Sequence, residues 1–113
     1  MNQSTADLVR SYFAAYESRD RQVVEDLIAE EGFAFFSPVD DGIDRQTYFQ
    51  RCFPNDEARE YDFKRLVAID DEVVVTYELQ KTDGSRTRNT EVISFDGAKI
   101  TTVEVYWGWS IES

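Results

Sequence analysis

The sequence predicts an α+β domain in which three helices precede a four-stranded antiparallel meander. Two observations predict it. The first half places apolar residues at helical spacing behind capping residues, and the second half is β-branched and aromatic, divided by Asp-rich turns. Length agrees, because 113 residues make a single domain, 1–113. Such a chain can bury one core or enclose one pocket, without a second lobe.

Ser4-Thr5-Ala6-Asp7 has the spacing of a helix N-terminal capping box. Leu8, Val9, Tyr12, Phe13 and Tyr16 then form one apolar stripe to about Ser18. Asp20 caps a second helix carrying Val23, Val24, Leu27 and Ile28, which Gly32 is expected to end. Phe33-Ala34-Phe35-Phe36 is a short apolar run that reads as a buried strand stopping at Pro38. Asp40-Asp41-Gly42 reads as a turn, and Asp44 caps a third short helix with Tyr48, Phe49 and Cys52, limited by Pro54. Strands are expected over 61–69, 73–81, 87–95 and 100–109. Asp70-Asp71, Asp83-Gly84 and Asp96-Gly97 supply the three hairpin turns. The helices can cover one face of the curled sheet, so the other must meet water or a partner.

Charge and composition narrow the chemistry. The net charge of −11 repels phosphate backbones and anionic lipid, so neither a nucleic acid nor a membrane is an expected partner. The opening Met1-Asn2-Gln3-Ser4 lacks the charged and apolar regions of a signal peptide, and the single Cys52 excludes an internal disulfide. A cytoplasmic location is the expectation. There is no histidine at all. That removes Ser-His and Cys-His nucleophile pairs and histidine metal sites, leaving carboxylates, tyrosines, lysine or water for proton transfer.

Three stretches carry a family resemblance. Tyr12-Phe13-Ala14-Ala15-Tyr16-Glu17-Ser18-Arg19-Asp20, leading into Val24 to Ile28, looks like an opening helix pair. Phe35-Phe36-Ser37-Pro38, followed after a gap by Gly42-Ile43-Asp44-Arg45, is similar to a strand-Pro-Gly-helix element. Asn89 to Ile100, then Val103-Glu104-Val105-Tyr106-Trp107-Gly108, looks like a closing hairpin. Together they resemble the SnoaL-like and ketosteroid-isomerase-like proteins of the nuclear-transport-factor-2-like superfamily, over roughly Ser4 to Ile111. The resemblance implies a cystatin-like, cone-shaped curved antiparallel sheet packed on three N-terminal helices. It says little about the reaction, because the scaffold serves isomerases, cyclases, hydrolases, dehydratases and plain binders.

Carried over residue by residue, the isomerase pattern implies Tyr12 as oxyanion tyrosine, Glu91 as the partner acid and Trp107 as a pocket aromatic. In that branch a neighbouring apolar site keeps the acid neutral, a pattern for which ketosteroid isomerase itself is the standard example. The general base of the pattern precedes the strand-ending proline; here that residue is Ser37, which has no carboxylate.

Strand alternation alone puts Thr87, Asn89, Glu91 and Ile93 on one face, and Val103, Val105, Trp107 and Trp109 on one face of the last strand. A three-residue loop at Asp96-Gly97-Ala98 would align Glu91 with Val103 and Trp107. A two- or four-residue loop would align it with Glu104 and Tyr106. The resemblance implies the first arrangement. Tyr12 and Tyr16 also fit ordinary core packing, Glu91 an exposed carboxylate near Arg65 or Arg88, and Trp107 and Trp109 a core or dimer interface. Asp40-Asp41 and Asp70-Asp71 read as turn acids with no third ligand at fitting spacing, so no metal and no cofactor is expected. Cys52 reads as a small core residue.

Two functions follow as expectations. One is an isomerase, cyclase or hydratase with Glu91 and Tyr12 catalytic and Tyr16, Phe33, Phe35, Ser37, Asn89, Val105 and Trp107 lining a site for a small apolar organic molecule. The other is a non-catalytic ligand binder or interaction domain of the same fold. In both, the uncovered sheet face is expected to form a homodimer.

Overall fold

The computed structural model describes residues 4–53 and 58–111. Its elements run α1 (Thr5–Ser18), α2 (Arg21–Leu27), β1 (Ala34–Ser37), β2 (Asp40–Ile43), α3 (Arg45–Arg51), β3 (Ala58–Ile69), β4 (Glu72–Lys81), β5 (Arg86–Asp96) and β6 (Lys99–Ile111). Met1-Asn2-Gln3 and Pro54, the residue expected to limit α3, lie outside the described residues.

All three predicted N-caps are in place. Asp7 N–H donates to Ser4 Oγ at 3.1 Å, Val23 N–H to Asp20 at 3.3 Å and Thr47 N–H to Asp44 at 2.9 Å. Each satisfies a donor that a helix end otherwise leaves unpaired. α2 ends earlier than expected, at Leu27, and Gly32 lies in the following loop. Ile28, fully buried, already belongs to the sheet: it bridges Ile100 in parallel, and Ala29 N–H donates to Ile100 O at 2.9 Å.

The four-strand meander forms as predicted. What the sequence reading lacked is β2. Asp40-Asp41-Gly42 is strand rather than turn, folding back on β1 with Phe35 opposite Ile43 and Ser37 opposite Asp40. β1 in turn lies parallel to β6, so the sheet is mixed and open, in the order β2-β1-β6-β5-β4-β3. α1 packs over β3 and β4, α2 over β6 and α3 over β1, so the helices cover the concave face. The core lies between, around Val9, Val24, Tyr48, Val73, Val75, Ile93, Ile100 and Val103, all fully buried.

Two bulges set which way β6 presents its side chains. The β5–β6 turn is the two-residue Gly97-Ala98, since Asp96 opposes Lys99 and Phe95 opposes Ile100. The expected three-residue loop is absent. An irregularity follows at once: Ser94 opposes Thr102, leaving Thr101 unmatched. The extra residue restores the parity that the shorter loop would have reversed, so Glu91 still faces inward, opposite Val105. A second irregularity falls at Gly108, with Asn89 opposite Trp107 and Arg88 opposite Trp109. It overturns simple alternation for Trp109. That indole sits on the outer face under the Arg88 guanidinium, 5.6 Å from it, while Trp107 remains with Val105 on the inner side. Only glycine fits at the bulge, because a Cβ on Gly108 would lie 1.9 Å from the Arg88 carbonyl oxygen.

Candidate functional site

The open end of the cone holds a cavity of about 340 Å³, within the range usual for small-molecule sites. α1 supplies Tyr12 and Tyr16, one turn apart. β3 and β4 supply Tyr61 and Tyr77; β5 supplies Asn89 and Glu91; β6 supplies Val105 and Trp107. β1 and β2 add Phe35, Ser37 and Asp40, and the end of α3 adds Arg51 and Cys52. Trp107 is 58% exposed and, with exposed Arg51 and Val39, forms the mouth.

Glu91 is the polar centre of this cavity. The residue is only 7% exposed, and its Oε2 accepts a hydrogen bond from the Tyr77 hydroxyl at 2.6 Å. Neither Arg65 nor Arg88 reaches it; Arg88 stands on the opposite face against Glu78. Burial disfavours the carboxylate form and pushes its pKa up to about 7, against a smaller opposing effect of the Tyr77 hydrogen bond. Tyr12, Tyr16, Tyr48, Tyr61 and Tyr77 all feel its charge. Four of these tyrosines, Tyr12, Tyr16, Tyr61 and Tyr77, line the cavity with Glu91, and Tyr77 donates to it directly. Burial, with Glu91 adding to it, raises all five phenols above the ordinary tyrosine value. They are therefore hydrogen-bond donors at neutral pH, not bases.

Three of these hydroxyls form a chain. Tyr48 on α3 is hydrogen-bonded to Tyr12 at 2.5 Å and also to Tyr16. Two such bonds use two of the three hydroxyl hydrogens. When Tyr48 accepts from one neighbour and donates to the other, the accepting neighbour keeps its own hydrogen for the cavity. In that arrangement the triad presents one donor to a bound oxygen atom.

The structure gathers Tyr12, Tyr16, Phe35, Ser37, Asn89, Glu91, Val105 and Trp107 around one cavity. Phe33 is the exception. It lies behind the Tyr48 ring, 5.2 Å between centroids, and opens instead onto a groove beside α2 and α3. Asn89 is tied to the fold as well, since its Oδ1 accepts from Gly108 N–H at 3.1 Å. Sequence reasoning missed Tyr61 and Tyr77 as members of the polar wall and Tyr48 as the buried hydroxyl that joins Tyr12 to Tyr16, because each occupies an apolar-face position that plain core packing also explains. It also misread Asp40. Far from an exposed turn acid, its side chain is 7% exposed and paired with Arg51 Nη2 at 2.7 Å. Cys52 lies on the cavity wall, and burial, with Asp40 next, pushes its thiol up to about 11, which leaves it protonated and a poor nucleophile.

No family model and no curated protein matches the sequence, whereas solved structures match across nearly its whole length. An NTF2-like protein of unknown function from Cytophaga hutchinsonii superposes with a TM-score of 0.78 at 16% identity, covering 96% of this chain and 93% of that one. A candidate ketosteroid isomerase from Kribbella flavida gives 0.79 at 20% identity, with 96% and 81% covered. A cystatin-like-fold protein of unknown function from Xanthomonas campestris gives 0.71 at 15%, with 97% and 92% covered. The fold is NTF2-like, as the sequence motifs implied. No helix among the described residues is long and apolar enough to cross a membrane.

Proposed function

We propose that this NTF2-like chain is a cofactor-independent enzyme of SnoaL-like type, acting on a small, largely apolar organic molecule that carries a carbonyl oxygen. Isomerisation, cyclisation and hydration all fit such a site. One observation carries the reading: a buried, largely desolvated carboxyl group, Glu91, in the wall of an open cavity that it shares with four neutral phenols, one of them bonded to it. Burying an acid without a cationic partner is costly, and such groups concentrate where proton transfer is performed. Protonated Glu91 and the spare hydrogen of the Tyr12–Tyr48–Tyr16 triad are suited to hold an oxygen on which negative charge develops. The Kribbella flavida neighbour adds support by its assignment as a candidate ketosteroid isomerase. A cytoplasmic location is supported by the one, unpaired cysteine.

The test is hydrogen–deuterium exchange at the α carbon of 2-tetralone, 2-indanone and cyclohexanone in D2O, followed by proton NMR above the buffer background. Binding is read separately by saturation transfer. The wild type is expected to bind at least one ketone and to accelerate its exchange. Glu91→Gln is expected to lower the exchange rate about 100-fold or more. Binding without exchange would favour the second reading, a ligand-binding module. Ser37, a hydroxyl where the isomerase pattern has its base, speaks for that alternative.

The outer sheet face is proposed as a homodimer surface. Exposed Tyr106 and Trp109, with Val67 and Ile69, lie there, and half-buried Val74 and Val92 pair at its middle.

A further inference from the structure

We infer that Asp40 is the proton-accepting carboxylate of the cavity, replacing from β2 the base that the end of β1 lacks. The inference rests on the enzymatic reading above and adds to it the residue that reading leaves unassigned.

The β1–β2 hairpin carries the argument. Pro38-Val39 reverses the chain so that Asp40 stands directly opposite Ser37. Ser37 Oγ donates to Asp40 Oδ2 at 3.1 Å while accepting from Val39 N–H at 3.2 Å. Arg51 at the end of α3 donates to Oδ1 at 2.7 Å. The serine therefore does not simply remove a carboxylate from this end of the strand; it binds one supplied by the neighbouring strand. The pair is lopsided, with the arginine side chain 53% exposed and the acid 7%. A surface ion pair has no need of a buried acid. Here the acid lines the same cavity as Glu91, and the Cys52 thiol on that wall feels the charge of both.

The two carboxyl groups then divide the work. Asp40 takes a proton from the carbon next to the substrate carbonyl. The C–H electron pair forms a C=C bond, and the carbonyl π pair moves onto oxygen, held by protonated Glu91 and the tyrosine triad. In a β,γ-unsaturated ketone the new C=C bond is conjugated with the old one, so return of the proton from Asp40 to the γ carbon shifts the double bond into conjugation and re-forms the carbonyl, with no oxidant, reductant or co-reactant consumed. In a saturated ketone the proton returns to the same carbon, which is exchange. Ser37 and Arg51 are positioning residues that fix the direction of the carboxylate.

The ketone exchange assay tests this. Asp40→Asn is expected to bind the same ketone as the wild type and to lose about 100-fold or more of the exchange rate. Adding Ser37→Asp to Asp40→Asn is expected to recover part of it. Exchange at the wild-type rate in Asp40→Asn, with Glu91→Gln inactive, would overturn the assignment and make Glu91 the base, leaving the enzymatic reading intact. A wild type that binds ketones without exchanging them would overturn both. Should Asp40→Asn fail to fold, the wild-type pH profile decides. Exchange falls as pH rises through about 7 when Glu91 is the acid, and rises there when Glu91 is the base.

Discussion

Glu91→Gln should abolish a loss of stability with rising pH that no other described carboxyl group is placed to produce. A glutamate held at about 7 in the fold against 4.5 in its ordinary state binds more protons folded than unfolded between those values. The sign follows: folding is favoured at the acid end, and stability is lost as pH climbs from about 4.5 to 7. At roughly 1.4 kcal/mol per pH unit, the whole effect is about 3 kcal/mol, of which most falls between pH 5 and 8. The window is clean because there is no histidine. Asp44, Glu78 and Asp83, held low by bonds from Thr47, Lys64 and Ser85, act in the opposite sense and only at the acid edge of the window, where the unfolded carboxyl groups begin to take up protons. Urea unfolding followed by circular dichroism is the assay. The wild-type midpoint should drop by roughly 1–2 M from pH 5 to pH 8, whereas Glu91→Gln, whose amide oxygen still accepts from Tyr77, should hold nearly constant. A wild-type midpoint that is flat or rises over this range would refute the burial argument.

Gly108→Ala should destabilise the fold by about 2 kcal/mol or more, since the added Cβ meets the Arg88 carbonyl at 1.9 Å; chemical denaturation checks it, and an unchanged midpoint would contradict the bulge. Sedimentation equilibrium at micromolar concentration should show a dimer for the wild type and a monomer for Val92→Arg, whose side chain would stand in the middle of the outer face between Val74 and Glu104; a monomeric wild type would dismiss the interface.

Much of this architecture was legible because it is local. A capping Ser or Asp satisfies donors within its own turn, so Ser4, Asp20 and Asp44 announce three helices. The Asp-rich turns announce the meander in the same way. β2 was illegible because Asp40-Asp41-Gly42 has turn chemistry and becomes a strand only by pairing with β1, itself held by β6. The facing of Glu91 was foreseen for the wrong reason: the loop is shorter than expected, and a bulge at Thr101, which no nearby residue type signals, compensates for it. Glu91 and Tyr12 could be named from the resemblance. Tyr48 and Tyr77 could not be separated from core tyrosines, because their hydroxyl partners lie 36 and 14 residues away in the chain. Asp40 was missed with its strand.

The bulge at Gly108 sends the chain's only two indoles to opposite sides of one sheet, Trp107 to the cavity mouth and Trp109 beneath Arg88. Nature has thereby labelled the molecule twice. With Trp109→Phe the remaining emission reports occupancy of the chamber; with Trp107→Phe it reports contact on the convex side. Uptake of a small molecule and self-association can thus be watched independently by light, without an attached dye.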